Sequence, residues 1–570
     1  MKKLILKTLK NKLFISFTIN FLIMVLCIYV SSFSYDNYKD FINSLLISKH
    51  HIAYNNDINF ILSFAVSNIQ YLFPNINCFV LFQSLFAYLA FSSLTYALID
   101  KFGLHKGIIF SLLINILFCM NHYADMATQK TSALLLAAGF ILILNAIRRK
   151  RYRFICMLGI IEIIIGSFYC YEYFFIALLF ASVYFLADLF AKDKHKIKFR
   201  KFIWYFRPFL ILYVLVTIFS ITAHHYSVNV NNETQYWKNN YEYYELTDKI
   251  SNSPYPDYNE NKEALNKAGI YETEYELLKN GYYDATTPIN LDGLRLISSL
   301  QEQNNQKNIF YEANGFFSDS FESLINFDTN AIIMIVTIIL SALYLVFHKK
   351  SHCFFPIFLL ISSVILNITL RYFYNSYNYT LYGTILIPLC LLIYSVDFES
   401  LKEFFEKELK KRQKSVFFVS LGIIALLVTG YSIVYNVHST YDENLKKRPS
   451  ALYTEVERHP ERYYILDPYT AKDYIQYSTN YLHPLWGFKD NYLKNVDSFG
   501  YHHRTKELRK RDTDNIYYAA INAKRTYIID NSITYKKENY LKKYYSTEEK
   551  TNYSYKLDKE VCGYRIYQIS

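Results

Sequence analysis

Two carboxylates four residues apart, Asp36 and Asp40, lie in the segment SSFSYDNYKDFINSLLISKHHIAYNND, just past the first long apolar stretch of the chain. On a helix that spacing puts both on one face. A carboxylate held at a membrane surface, where a lipid-linked donor presents its head group, can remove a proton from an acceptor hydroxyl. Plainer work also suits these residues, since Asp36 can cap a helix or pair with Lys39. A second polar set falls in loops expected on the same side. His122, Asp125, Gln129 and Lys130 share one loop, Glu172 sits in the tight turn YCYEYF, and Arg371 closes an apolar segment. Basic groups there can hold a phosphate or pyrophosphate leaving group, although lone Lys and Arg commonly snorkel to an interface. Glu162, in the middle of GIIEIII, cannot face lipid uncompensated, so it pairs inside a bundle or belongs to a site.

Other chemistries find less support. With only 15 glycines and neither GxGxxG nor GxxxxGK[ST], the chain has no glycine-rich cradle for a nucleotide phosphate. The triplet Asp512-Thr513-Asp514 mimics a metal- and sugar-nucleotide-binding DxD, but it falls on the side where nucleotide sugars are scarce and reads as a solvated turn. The doublets His50-His51, His224-His225 and His502-His503 have no partner at metal-ligand spacing, so a divalent metal is not expected. The net charge of +12 comes from short basic runs between apolar segments, where it orients the chain in a membrane and does not build a nucleic-acid surface. The eight cysteines form no CxxC and no disulfide framework.

What must position these residues is a membrane bundle. Leu13 to Phe33 carries no charge, and about 20 such residues at about 1.5 Å each span a hydrocarbon core about 30 Å thick. Similar stretches follow at 77–99, 107–120, 131–147, 154–170, 173–190, 206–223, 331–347, 354–370, 381–396 and 416–437. Residues 58–73 are apolar but short, broken by Ser63, Ser67, Asn68 and Gln70 and closed by Pro74. If 58–73 crossed, the basic clusters at 147–153, 192–201 and 348–352 would face outside. If it does not cross, all three join the basic N-terminus inside. The expectation is a mainly α, polytopic bundle of about eleven spans, with residues 34–76 forming a first outer loop in or on the interface.

The bundle divides at 1–223 and 331–437, and outside it lie an extracytoplasmic helical loop (224–330) and a small C-terminal extracytoplasmic α/β domain (438–570). In the loop, NENKEALNKAG and YETEYELLKNG each end at a glycine suited to a C-terminal cap, and Pro288 can open a third helix. In the tail, YYILDP, TYIID and YRIYQI read as strands between helical stretches. Residues 397–415 read as a charged helix on the inner surface.

The segment from Ser34 to Ile99, with SYDNY followed by NNDINFILSFAVSNIQYLFPNINCFVLFQSLFAYLAF, resembles a group of bacterial envelope proteins similar to membrane glycosyltransferases of the GT-C type. The stretch PYPDYNENKEALNKAGIYETEYELLKNGYYD and the ending GYRIYQI resemble the same group, so the likeness covers nearly the whole chain. It implies a polyprenyl-phosphate sugar donor, a glycan or glycolipid acceptor, a catalytic acid in the first outer loop and interfacial helices there. The basic clusters and span count place the N-terminus in the cytoplasm and the C-terminus outside a plasma membrane crossed many times. Where relatives tend to carry Asp-Asp, this chain has Asp36-Asn37, which leaves Asp40 as the substitute for the missing acid. A transporter of lipid-linked glycan should instead show inverted repeats and spans broken by Gly or Pro in matching halves. A non-catalytic assembly protein is the third alternative, favoured by Asn37.

Overall fold

The computed structural model describes residues 2–30, 34–35, 38–55, 57–149, 153–192, 199–233, 235–251, 254–282, 290–304, 309–326, 329–347, 354–374, 379–396, 451–471, 494–499, 515–531 and 554–569, with 474, 541 and 544. Within them the chain is mainly helical. Four helices are long and apolar enough to cross a membrane: α1 (Lys2–Val30, apolar over Lys12–Tyr29), α4 (Cys78–Phe102), α6 (Thr128–Arg149) and α9 (Phe199–Asn231). Shorter apolar stretches lie in α3 (Phe60–Gln70), α5 (Leu104–Tyr123), α8 (Tyr171–Lys192), α16 (Phe354–Tyr374) and α17 (Tyr379–Ser395). Helices α7 (Arg153–Tyr169) and α15 (Thr329–Phe347) complete the apolar set. Every stretch read above as a span falls on one of these helices except 416–437, which lies outside the described residues together with 397–415.

Local chemistry sets the boundaries. Asn77 starts α4 by accepting from the Val80 amide, and Gly103, at φ +82°, ends it in a conformation that side chains resist. Helices α6 and α7 meet closely because both positions at their crossing are glycine. A Cβ at Gly139 would lie 2.6 Å from the Gly159 carbonyl oxygen, and one at Gly159 would lie 2.7 Å from that of Gly139.

Polar contacts divide the bundle into two ends. At one, which we call the clasp end, Lys12 Nζ donates to Asp100 Oδ1 at 2.7 Å and Asn145 Nδ2 to Asp100 Oδ2 at 3.2 Å. Tyr394 Oη then donates to Asn145 Oδ1 at 3.1 Å, and Lys101 Nζ donates to the Tyr394 carbonyl. Residues from α1, α4, α6 and α17 thus share one buried network. At the opposite, ribbon end, β1 (Ser34–Tyr35) and β2 (Asp125–Met126) pair in parallel, joining the chain beyond α1 to the chain beyond α5. Ser132 Oγ, near the start of α6, donates to the Gly166 carbonyl at 2.7 Å, so the end of α7 lies there too.

Helix α3 is bound at the ribbon end. Asn59 caps it and binds, through its backbone amide and its side chain, the carbonyls of Phe168 (2.8 Å) and Ala223 (3.0 Å). At the other end of α3, Gln70 accepts from Cys78 N at 2.9 Å, at the first residue of α4. With both ends anchored to one end of the bundle, α3 lies across that end and does not traverse the bundle. Its buried face mixes Leu62 and Val66 with Ser63, Ser67 and Gln70, while Ile61 and Phe64 are exposed.

Beyond the bundle come α10 (Gln235–Ser251), α11 (Lys262–Lys267), α12 (Glu272–Lys279), α13 (Leu291–Asn304) and α14 (Ile309–Asn326). The expected glycine stops hold: Gly269 and Gly281 follow α11 and α12 at φ +77° and +81°. Pro288 lies outside the described residues, and α13 is opened instead by Asn290, whose Oδ1 accepts from the amides of Asp292 and Gly293. Residues 451–569 contribute a five-stranded sheet in the order β4-β3-β5-β7-β6. Strands β3 (Tyr463–Leu466), β4 (Val496–Ser498) and β5 (Thr526–Asp530) are parallel. Strands β6 (Tyr555–Val561) and β7 (Tyr564–Ile569) add an antiparallel hairpin.

Alternation along β3 then decides what the sheet joins. Tyr463 and Ile465 pack in one cluster with Ile250, Leu278 and Ile297 of the preceding helices, whereas Tyr464 and Leu466 belong to the cluster that continues through the bundle. Sheet and helices therefore share a core.

Candidate functional site

The ribbon end brings together most of the residues singled out by chemistry. Helix α2 (Tyr38–Ser44) carries Asp40, which is buried and accepts the backbone amide of Thr128 at 3.0 Å. Thr128 is the first residue of α6, so Asp40 caps that helix from another segment, where its negative charge meets the positive end of the helix dipole. The cap and the ribbon together fix the strand that leads to Asp36. Asp36 itself lies outside the described residues, as does its one-face spacing with Asp40, because the described helix begins at Tyr38. Asp125 contributes backbone to the ribbon, in register with Ser34.

Around this junction stand His122 and Lys130. Both are buried, and they are close enough to interact electrostatically. The His122 ring meets Phe91 edge-on at 5.4 Å between centroids. Gln129, between Thr128 and Lys130, is half-buried. Glu172, in the first turn of α8, is exposed and accepts from Cys170 Sγ at 3.3 Å. Its neighbour Tyr171 stacks on His224 at 4.0 Å between centroids. Arg371 is buried near the end of α16, where it pairs with Asp319 of α14 at 2.8 Å and stands 5.4 Å over the Phe316 ring. The described contacts therefore join Asp40, Asp125 and the start of α6 directly, and engage Arg371 with α14. Glu162 resolves to the bundle interior, fully buried, accepting from Ser93 Oγ. Asp512 to Asp514 and His502-His503 lie outside the described residues.

Two residues at this end escaped the sequence reading. Gln83, less than two turns into α4, is fully buried, and neither of its amide atoms has a hydrogen-bond partner among the described residues. Tyr123, the last residue of α5, is buried with its hydroxyl in the same condition. Each such group costs about 1–3 kcal/mol when nothing satisfies it, so their presence beside the ribbon favours a place that receives polar guests. A glutamine early in the apolar first half of α4 was the signal available for Gln83.

Chemically, this end offers a carboxylate segment held by backbone pairing, two basic side chains and unsatisfied neutral donors and acceptors. That set can take a proton from a hydroxyl and steady an anionic leaving group. Compared with family models, with curated proteins and with solved structures, the chain matches none of them.

Proposed function

We infer that this protein is a membrane glycosyltransferase that moves a sugar from a polyprenyl-phosphate-linked donor to a cell-envelope glycan or glycolipid. One observation carries the reading: the parallel ribbon Ser34↔Asp125 and Tyr35↔Met126, with the Asp40–Thr128 cap, ties the acidic first loop to the His122–Lys130 segment at one end of a bundle of membrane-length helices. Asp36 follows Tyr35 directly in the chain, and consecutive Cα atoms are about 3.8 Å apart. Asp36 therefore serves as the base and Asp40 as the positioning residue that holds its strand. The carboxylate takes the proton of the acceptor hydroxyl, and the freed oxygen forms the new bond to the anomeric carbon. The bond from that carbon to the phosphate oxygen breaks, and polyprenyl phosphate leaves, its charge steadied by Lys130 and His122.

Orientation follows from the basic residues. Lys12, Lys101 and the last residues of α6, Arg148 and Arg149, gather towards the clasp end, which supports placing that end in the cytoplasm and the ribbon end outside. On this reading about eleven spans cross the plasma membrane, α3 lies in the outer interface, and residues 224–330 and 438–570 are extracytoplasmic. The test is transfer by the purified full chain in vesicles supplied with polyprenyl-phosphate sugars and a glycan acceptor. Sugar incorporation with release of polyprenyl phosphate supports the reading; no transfer from any such donor overturns it.

A further inference from the structure

Helix α14 also exposes large apolar side chains. Phe310, Phe317, Phe321 and Ile325 are exposed by 75%, 57%, 65% and 69%. At about 100° per residue these four positions fall within roughly 80° of one another, so they form one narrow stripe along Ile309–Asn326. Across the helix, Asp319 turns towards the buried Arg371 and Phe316 packs beneath its guanidinium. In water a helix gains by turning rings inward and carboxylates outward. Burying one such large apolar side chain is worth about 1.5–3 kcal/mol, so four left in water would forfeit several times that. The stripe, in which Asn314 is the exposed polar residue, therefore favours an apolar medium.

We propose that α14 lies in the interfacial layer of the bilayer with this stripe against lipid acyl chains, so that the helical segment before α15 rests on the membrane. Three observations select lipid as the occupant. Helix α16, which α14 contacts, also exposes apolar side chains, at Ile361 and Ile365. The next helix in the chain, α15, is uncharged and mostly apolar and exposes Ile338. Arg371 lies at the end of α16 that leads into α17, opposite the clasp end that α17 reaches through Tyr394, and this is the end where α3 exposes Ile61 and Phe64. Two helices that expose large apolar side chains at one end of an apolar bundle match a shared lipid surface. The inference rests on the membrane placement and is independent of the transfer reaction.

Photo-crosslinking tests it. The full chain, carrying p-benzoylphenylalanine in place of Phe317 or, separately, Phe321, is reconstituted in vesicles of phosphatidylcholine and phosphatidylglycerol, irradiated and weighed by mass spectrometry. Phospholipid adducts are expected at both positions, several-fold above the yield from the same residue placed at Lys267 in the polar helix α11. The same substitution at Ile338 reports whether the apolar bundle itself meets lipid. Lipid adducts at Ile338 but only Lys267-level yields at Phe317 and Phe321 would overturn the proposal. Chain-to-chain adducts at either position would overturn it in favour of a second copy as the occupant. Absence of lipid adducts at Ile338 as well would remove the membrane placement, and the proposal with it.

Discussion

The two ends of the bundle bury polar residues to different purpose. At the clasp end three bonds run from side chain to side chain and Lys101 adds one to the Tyr394 carbonyl, across four helices, and the charge of Asp100 meets Lys12 at 2.7 Å. At the ribbon end Asp40 is bound to a backbone amide, Lys130 neighbours another base in His122, and Gln83 keeps both amide atoms without partners among the described residues. A network that satisfies itself fixes helix register. One that leaves buried groups unsatisfied sacrifices stability and has something to offer a ligand. On this contrast, changes at the clasp end should move stability, and changes at the ribbon end should move substrate handling.

The largest stability effect should come from Asp100→Ala, which strands the Lys12 ammonium and the Asn145 amide. Loss of one partner from a buried pair costs roughly 3 kcal/mol, and thermal unfolding of the reconstituted chain should report it. A change near zero would mean that the clasp holds nothing. Next comes Asp40→Ala, which removes the cap from α6 and should cost about 1 kcal/mol. Asp40→Asn keeps an oxygen for the Thr128 amide and should restore most of that stability. If Asn and Ala destabilise equally, the carboxylate charge matters more than the acceptor.

Gln83→Leu sharpens the contrast because its sign is opposite. Removing two unsatisfied buried atoms should stabilise the fold by about 1 kcal/mol, while raising the KM for donor or acceptor. Stabilisation with unchanged KM would make Gln83 a mere defect of packing. The smallest effect concerns neither end. Glu242 accepts from Arg295 at the α10–α13 contact, and this hydrogen bond holds its carboxyl below the ordinary range. A lowered carboxyl contributes stability that is present above the unfolded-state value and is lost as pH falls through the lowered folded value. Glu242→Gln should therefore cost less than about 1 kcal/mol at pH 7 for this largely exposed pair, with the difference from wild type vanishing in acid. A difference that grows in acid would contradict the assignment.

Much of the architecture was legible where the signal is local. Gly269 and Gly281 were visible as helix stops because only a residue without Cβ takes positive φ cheaply. YYILDP, TYIID and YRIYQI became β3, β5 and β7 because buried strands concentrate β-branched and aromatic residues. Strand β6 did not announce itself: YKLDKEV lies at the sheet edge and is mostly exposed, and its charges suit an edge that must not pair further. The ribbon was illegible for another reason. Its strands have two residues each and lie far apart in the chain, so no periodicity marks them. The shared core of β3 with the helical segment was hidden in the same way, since alternation reveals two faces but not what covers them. Of the residues singled out by chemistry, Asp40, His122 and Lys130 are buried at the ribbon end, and the sequence could not display that Asp40 accepts from the Thr128 amide, because that partner lies far along the chain.

The central claim is that the ribbon end does chemistry and the clasp end holds the bundle together. The most direct measurement is turnover per folded molecule for Asp36→Asn and Asp100→Ala, made side by side in vesicles with a polyprenyl-phosphate sugar, with thermal stability recorded on the same samples. Removing a base within hydrogen-bond reach of the acceptor should slow Asp36→Asn by about 10²–10⁴-fold at unchanged stability. Asp100→Ala should unfold earlier while its folded fraction turns over at the wild-type rate. An Asp36→Asn protein as fast as wild type, or an Asp100→Ala protein that is stable but slow, would contradict the division between the two ends.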